Sequence, residues 1–170
     1  MNKKTSIPAD ERTRRVNPRS ATLQVDEQLC FALYATSLAM TKVYRPLLRS
    51  LGLTYPQYLV MMALWQHGEL SVGQLGEKVA LDSGTLVPLI RKLSALDLLT
   101  RHRSLTDDRS VLISLTPPGS ALQKQTHTIH EQVSCATQRT GAQRLALVSD
   151  LQTLRTSLRK AGNTVSKAKL

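Results

Sequence analysis

Apolar positions along this chain recur mostly at a helical spacing. Between residues 24 and 51, Leu29, Leu33, Met40, Val43 and Leu47 keep one stripe, interrupted by Thr36, which predicts a long first helix. Pro46 is expected to kink it or end its regular part, and Gly52 to stop it. A second helix is predicted from "TYPQ" through "YLVMMALWQ" to Gly68, opened by a Thr54/Gln57 capping box with Pro56 in its first turn. Two shorter helices follow. "SVGQLGEKVAL" begins with the capping pair Ser71 and Gln74, and "DSGTLVPLIRKLSALDLL" opens at Asp82 or Ser83. Pro88 has no N–H to give a helix interior, so the second of these is expected to begin late or bend.

The pattern then changes. The segments 99–103 and 111–115 read as two strand arms around the polar turn "LTDDRS". "PPGSALQKQTHTIHEQVSCATQR" returns to a helix, starting near Pro117 or Pro118, with Gly141 as its expected break. A last amphipathic helix carries Leu145, Val148, Leu151, Leu154 and Leu158 along one stripe. No internal repeat is present. The fold class is therefore mainly α with a small β-hairpin wing. Residues 54–116 form a winged helix-turn-helix. Residues 23–53 and 117–160 carry more apolar face than one small domain can cover, so they are assigned to a dimerisation region. Residues 1–22 make a basic arm, predicted to be disordered, and 161–170 a basic tail.

Charge narrows the function. The 170 residues hold 23 Lys+Arg against 12 Asp+Glu, a formal net charge of +11. That balance points to nucleic acid, less often to an anionic membrane surface. No apolar run is long enough to span a bilayer. No apolar stretch with a small-residue cleavage site opens the chain, so a reducing cytoplasm is the expected compartment. Two cysteines placed far apart do not make a disulfide scaffold.

A helix followed by a hairpin with a basic tip suits DNA. A recognition helix reaches base edges from its N-terminal end. Here those positions are Ser83 and Thr85, followed by Arg91 and Lys92 for guanine or phosphate. On the wing, Arg101, His102 and Arg103 lie on one arm and Arg109 at the tip, a chemistry suited to a narrow minor groove. Asp107 or Asp108 is placed to hold Arg109 extended before DNA arrives. The expected partners are double-stranded operator DNA and a second copy of the chain.

"LDSGTLVPLIRKL" and the "TDDRS" wing, with the flanking helices, resemble the MarR family of winged-helix regulators. "QLCFALYATSLAMTKVYRPLL" joined to "LGLTYPQYLVMMALW" is similar to the organic-hydroperoxide-sensing branch of that family, the OhrR repressors. The resemblance covers about residues 23–160. It implies that Cys30 is the peroxide-reactive residue and that Tyr44 and Tyr55 hydrogen-bond to its sulfur. Cys30 and Tyr44 are 14 positions apart on one predicted helix, about 21 Å along its axis. Within one chain they do not meet, which agrees with a site built across a dimer. Tyr34, one turn from Cys30, shares its face. The resemblance further implies that Cys135 is a resolving cysteine, pairing with Cys30 of the other subunit. Disulfide closure needs Cα atoms within about 7 Å. A more distant Cys135 therefore requires its helix to move, which would respace the recognition helices and release DNA.

The chemistry implied is thiolate attack on a peroxide oxygen, then condensation of a sulfenic acid with a second thiol. Leu29, Phe31, Leu33 and Met40 around Cys30 favour apolar hydroperoxides as inducers. No cofactor is required and no enzyme turnover is expected. Three other readings were weighed. A MarR-type repressor released by a phenolic or other non-oxidising ligand would leave the cysteines inert. A thiol peroxidase would leave the helix-turn-helix without a role. A zinc sensor using His127, His130 and Glu131 would leave Cys30 unexplained, so no metal site is assigned.

Overall fold

The structure is a computed structural model, and it describes residues 24–103 and 111–167. The chain divides into two compact units, one up to Ala39 and one from Met40 onward. Helix α1 (Leu29–Arg49) begins in the first. It is preceded by a 3-10 turn, Val25–Glu27, and by Gln28 in an extended conformation. The helix thus starts five residues later than the periodicity suggested. In the first unit Leu29, Tyr34 and Leu38 present large apolar side chains to solvent.

In the second unit α1 runs through Pro46 to Arg49 without ending there. Pro46 lies in the last turn, where its missing N–H deprives only the Lys42 carbonyl of a partner. Gly52, at φ +66°, then reverses the chain, a conformation open to a residue without Cβ. Helix α2 (Tyr55–His67) is the centre of the core, with Val60, Met61 and Leu64 fully buried. It opens as expected at Thr54, whose backbone N–H donates to Gln57 Oε1 at 2.8 Å.

Helices α3 (Val72–Val79) and α4 (Ser83–Ala95) follow. Ser71 and Gln74 close a full capping box at the start of α3, with bonds of 2.9 and 3.2 Å. The turn between the helices is tight at Gly76, where a Cβ would lie 2.8 Å from the Leu81 carbonyl. Leu75, Leu86, Ile90 and Leu93 bury the inner faces of both helices. Helix α4 starts at Ser83 despite Pro88, so the expected late start does not occur. The carbonyl that loses its partner belongs to exposed Gly84, and the buried stripe 86–90–93 holds the helix across it.

Strands β2 (Leu99–Arg103) and β3 (Val111–Leu115) pair antiparallel with Arg101 opposite Ile113. A third strand, β1 (Leu70–Ser71), adds to β3, giving the order β1–β3–β2. Two residues are too few to show alternation, so the sequence held no sign of it. The helix expected from Pro117 is divided in two. Helix α5 (Pro117–Leu122) passes into a 3-10 segment, Gln123–Thr126, before α6 (His127–Ala136). Gln138 turns left-handed at φ +50°. Thr140 and Gln143 then form a capping box of 2.9 and 3.2 Å that opens α7 (Gly141–Lys167). Gly141 therefore begins a helix instead of breaking one, and α7 continues into the expected tail. Among the described residues no helix is long and apolar enough to cross a membrane.

Candidate functional site

Two regions carry the candidate residues. The first is an aromatic cluster where the C-terminal part of α1 meets α2. Tyr44 and Tyr55 pack with ring centroids 4.8 Å apart, and Tyr58 lies 5.7 Å from Tyr44. Tyr58 meets Trp65 edge-on at 6.0 Å. Trp65 anchors the cluster by donating Nε1–H to the Gly119 carbonyl at 2.9 Å. Burial raises the Tyr44 hydroxyl to a pKa of about 12, with the neighbouring Tyr55 and Tyr58 adding to the shift. Burial also raises Tyr55 and Tyr58. A phenol is an O–H donor at neutral pH in any case, and burial moves these three further from ionisation.

Both cysteines are free and exposed. Cys30 is the second residue of α1, and Cys135 lies in the last turn of α6. Helix α6 is held by Ile129 and Val133, its two buried residues, while Cys135 faces outward. The structure packs Tyr44 against Tyr55 and adds Tyr58, which sequence reasoning missed. Its one signal was its position one turn after Tyr55 on α2. Among the described residues no three His, Cys, Asp or Glu side chains gather in a way that could hold a metal.

The second region is the outer side of the winged helix. Ser83, Thr85, Arg91 and Lys92 are all exposed on α4. At about 100° per residue, Thr85, Arg91 and Lys92 point about 100° or more away from the buried stripe, and Ser83 only about 60°. Thr85 is engaged in the helix cap. Its backbone N–H and its hydroxyl donate to the two carboxylate oxygens of Asp82, each at 2.9 Å. Those bonds, the backbone one first, hold the Asp82 carboxyl below its usual range. Arg101 and Arg103 are exposed on β2 and share one face of the strand. His102, on the other face, meets Glu69 at 2.7 Å. Asp107 and Arg109 lie outside the described residues.

Comparison with known proteins places this geometry. Residues 42–131 match the family described as transcriptional regulator SarA/Rot. The organic hydroperoxide resistance transcriptional regulator of Bacillus subtilis is 45% identical over 132 residues, covering 78% of this chain and 90% of that protein. The chain belongs to the MarR-type winged-helix transcriptional regulators.

Solved structures agree with that family. BpsR of Bordetella bronchiseptica, described by the regulation of its DNA binding by 6-hydroxynicotinic acid, superposes with a TM-score of 0.70 at 28% identity, over 78% of this chain and 96% of that one. Reduced AbfR bound to DNA gives 0.64 at 28% identity, over 79% and 94%; AbfR of Staphylococcus epidermidis is also solved by itself and as a disulfide-formed species. In this regulator family α3, α4 and the β2–β3 wing are the helix-turn-helix and its wing. The tyrosine cluster joins α1 to α2, ahead of α3 in the chain.

Proposed function

We propose that this protein is a homodimeric DNA-binding repressor that loses its operator when organic hydroperoxide oxidises Cys30. The observation that carries the reading is the packed Tyr44–Tyr55 pair, 4.8 Å between rings, in a chain 45% identical to a hydroperoxide resistance regulator. Two adjacent phenol donors serve an anion better than they serve a core. The anion is the Cys30 thiolate of a second copy, whose exposed helix face with Leu29 and Tyr34 awaits a partner.

The chemistry balances within the two thiols and the peroxide. The Cys30 thiolate attacks the terminal peroxide oxygen, the O–O bond breaks, and the alkoxide leaves as the alcohol after taking a proton. Cys30 becomes a sulfenic acid. The Cys135 thiol of the other subunit then attacks that sulfur, the S–S bond forms, and the hydroxyl leaves as water. Each dimer site is oxidised once, so the protein is a sensor and not an enzyme, and it needs no cofactor. In the reduced state α4 enters the major groove with Arg91 and Lys92 outward, and Arg101, Arg103 and Arg109 serve the wing. Ser83 and Thr85 sit at the end of α4 nearest the bases.

A second reading has one observation behind it. A cavity of about 530 Å³ lies against α3, α4 and α7, lined by Val72, Leu81 and Leu86 with Arg155 and Arg159. An amphipathic anion would suit it, and BpsR is described with a ligand of that kind.

One experiment separates the two. Operator binding is measured with and without cumene hydroperoxide for wild type and Cys30→Ser. The oxidation reading expects peroxide to release wild type and leave the variant bound. Release of the variant by peroxide would sink it. Retention of both under peroxide, with release of both by a small aromatic carboxylate, would favour the second.

A further inference from the structure

We propose that Glu69 and His102 are positioning residues for DNA recognition, an ion pair that ties the wing to the end of α2 and sets how the wing leans on the duplex. Nε2 of His102 lies 2.7 Å from Oε2 of Glu69, an N–H donated to a carboxylate. The two side chains come from opposite sides of a strand. His102 is on β2, Glu69 directly precedes β1, and β3 runs between them in the order β1–β3–β2. Neighbouring strands are about 4.8 Å apart, so the pair spans about 10 Å of sheet. His102 and Ser71 are both paired with Leu112, and paired residues share a face. The bridge therefore passes over β3 on the face of Leu112, opposite to the one that carries Arg101, Arg103 and the buried Ile113.

Glu69 is held by the core. Gly68 caps α2 at φ +73°, donating its N–H to the Leu64 carbonyl at 2.8 Å, and Leu70 on the other side is buried. The wing is held less. β1 ends at Ser71 and α3 begins at Val72, so among the described residues the last pair of the hairpin, Arg103 with Val111, has no third strand beside it. His102 sits one step before that pair. The bridge thus fastens the hairpin at the last level where the sheet is three strands wide. The two side chains are 44% and 42% exposed, and a pair so open to water adds little to stability. Its effect falls on direction. A hairpin already aimed when DNA arrives loses less freedom on binding. The aim matters most if the wing's arginines, in the contact proposed above, are to meet one groove shape and not another. Oxidation of Cys30 plays no part in this role.

The test uses the full chain, reduced and without peroxide, as wild type, Glu69→Ala, His102→Ala and the double variant. Two DNA probes are compared: a duplex selected from random sequence by the wild-type protein, and an unselected duplex of the same length. Each single variant should bind the selected duplex about fivefold more weakly, the upper worth of one exposed ion pair, and the unselected one within about twofold of wild type. The double variant should match the singles, because both remove the same contact. The thermal midpoint should stay within about 4 °C of wild type. Tighter binding of Glu69→Ala to both duplexes would overturn the proposal, since the carboxylate would then only repel phosphate. So would weaker binding of His102→Ala to both with a shallower salt dependence, the mark of a direct phosphate contact. Additive losses in the double variant, unchanged binding of all three, or a larger midpoint shift would do the same. Arg101→Ala combined with Arg103→Ala tests the wing contact itself. Weaker binding of both duplexes is expected; no loss there would overturn the wing contact and the clamp together and leave the oxidation of Cys30 untouched.

Discussion

The place of the Tyr44 ring moves the ionisation of its phenol beyond the ordinary range. Burial and two neighbouring phenols raise its pKa to about 12, so the folded state favours its protonated form. A tyrosine shifted upward stabilises the fold fully below its unfolded value near 10, and that contribution is lost as pH rises towards 12. In an alkaline titration followed by phenolate absorbance, one tyrosine should ionise near pH 12, and Tyr44→Phe should remove that step. A Tyr44→Phe protein whose titration matched wild type would show that the high step belongs elsewhere. Tyr44 and Tyr55 were legible through the family resemblance of their segments. Tyr58 was not, because what a tyrosine one turn along α2 packs against depends on where α1 brings Tyr44.

At the scale of elements, local rules read well where a signal is carried by adjacent residues. The boxes at Thr54 and Ser71 opened α2 and α3 where expected, and Thr140–Gln143 shows the same signature at α7. An interior proline ends neither α1 nor α4. In α1 and α4 the lost backbone bond is outweighed by buried side chains on the opposite side, Leu48 in one and Leu86, Ile90 and Leu93 in the other. The junction of β3 with α5 depends on a contact between distant segments. A Cβ at Gly119 would lie 2.1 Å from the Leu98 carbonyl, while Thr116 both bonds that carbonyl through its N–H and caps α5. Gly119→Ala should therefore destabilise the protein by about 1–3 kcal/mol, the range for overpacking. The denaturation midpoint measures it, and an unchanged midpoint would mean that the junction yields without cost.

For the whole molecule, the described chain leaves the apolar stripe of a long helix uncovered. Among the residues of α7 whose side chains are described none is buried, and Leu145, Val148, Leu151 and Leu158 stand exposed along it, a stripe that water does not tolerate at this length. A second copy covers it in the proposed dimer. Leu145→Arg combined with Leu151→Arg should give a folded monomer by light scattering, with operator affinity reduced at least tenfold, because a two-fold site is then read by one half. A variant that remained dimeric would assign the interface elsewhere. The sequence by itself determined the helix order, the hairpin arms, the basic recognition surface and the segments that resemble hydroperoxide sensors, since each is written in local spacing, charge or motif. The tertiary structure alone decided which tyrosines meet, that β1 completes the sheet and that a 3-10 segment divides the helix before Cys135. Those features arise from packing between residues far apart in the chain, and periodicity records only which face is apolar, not what that face touches.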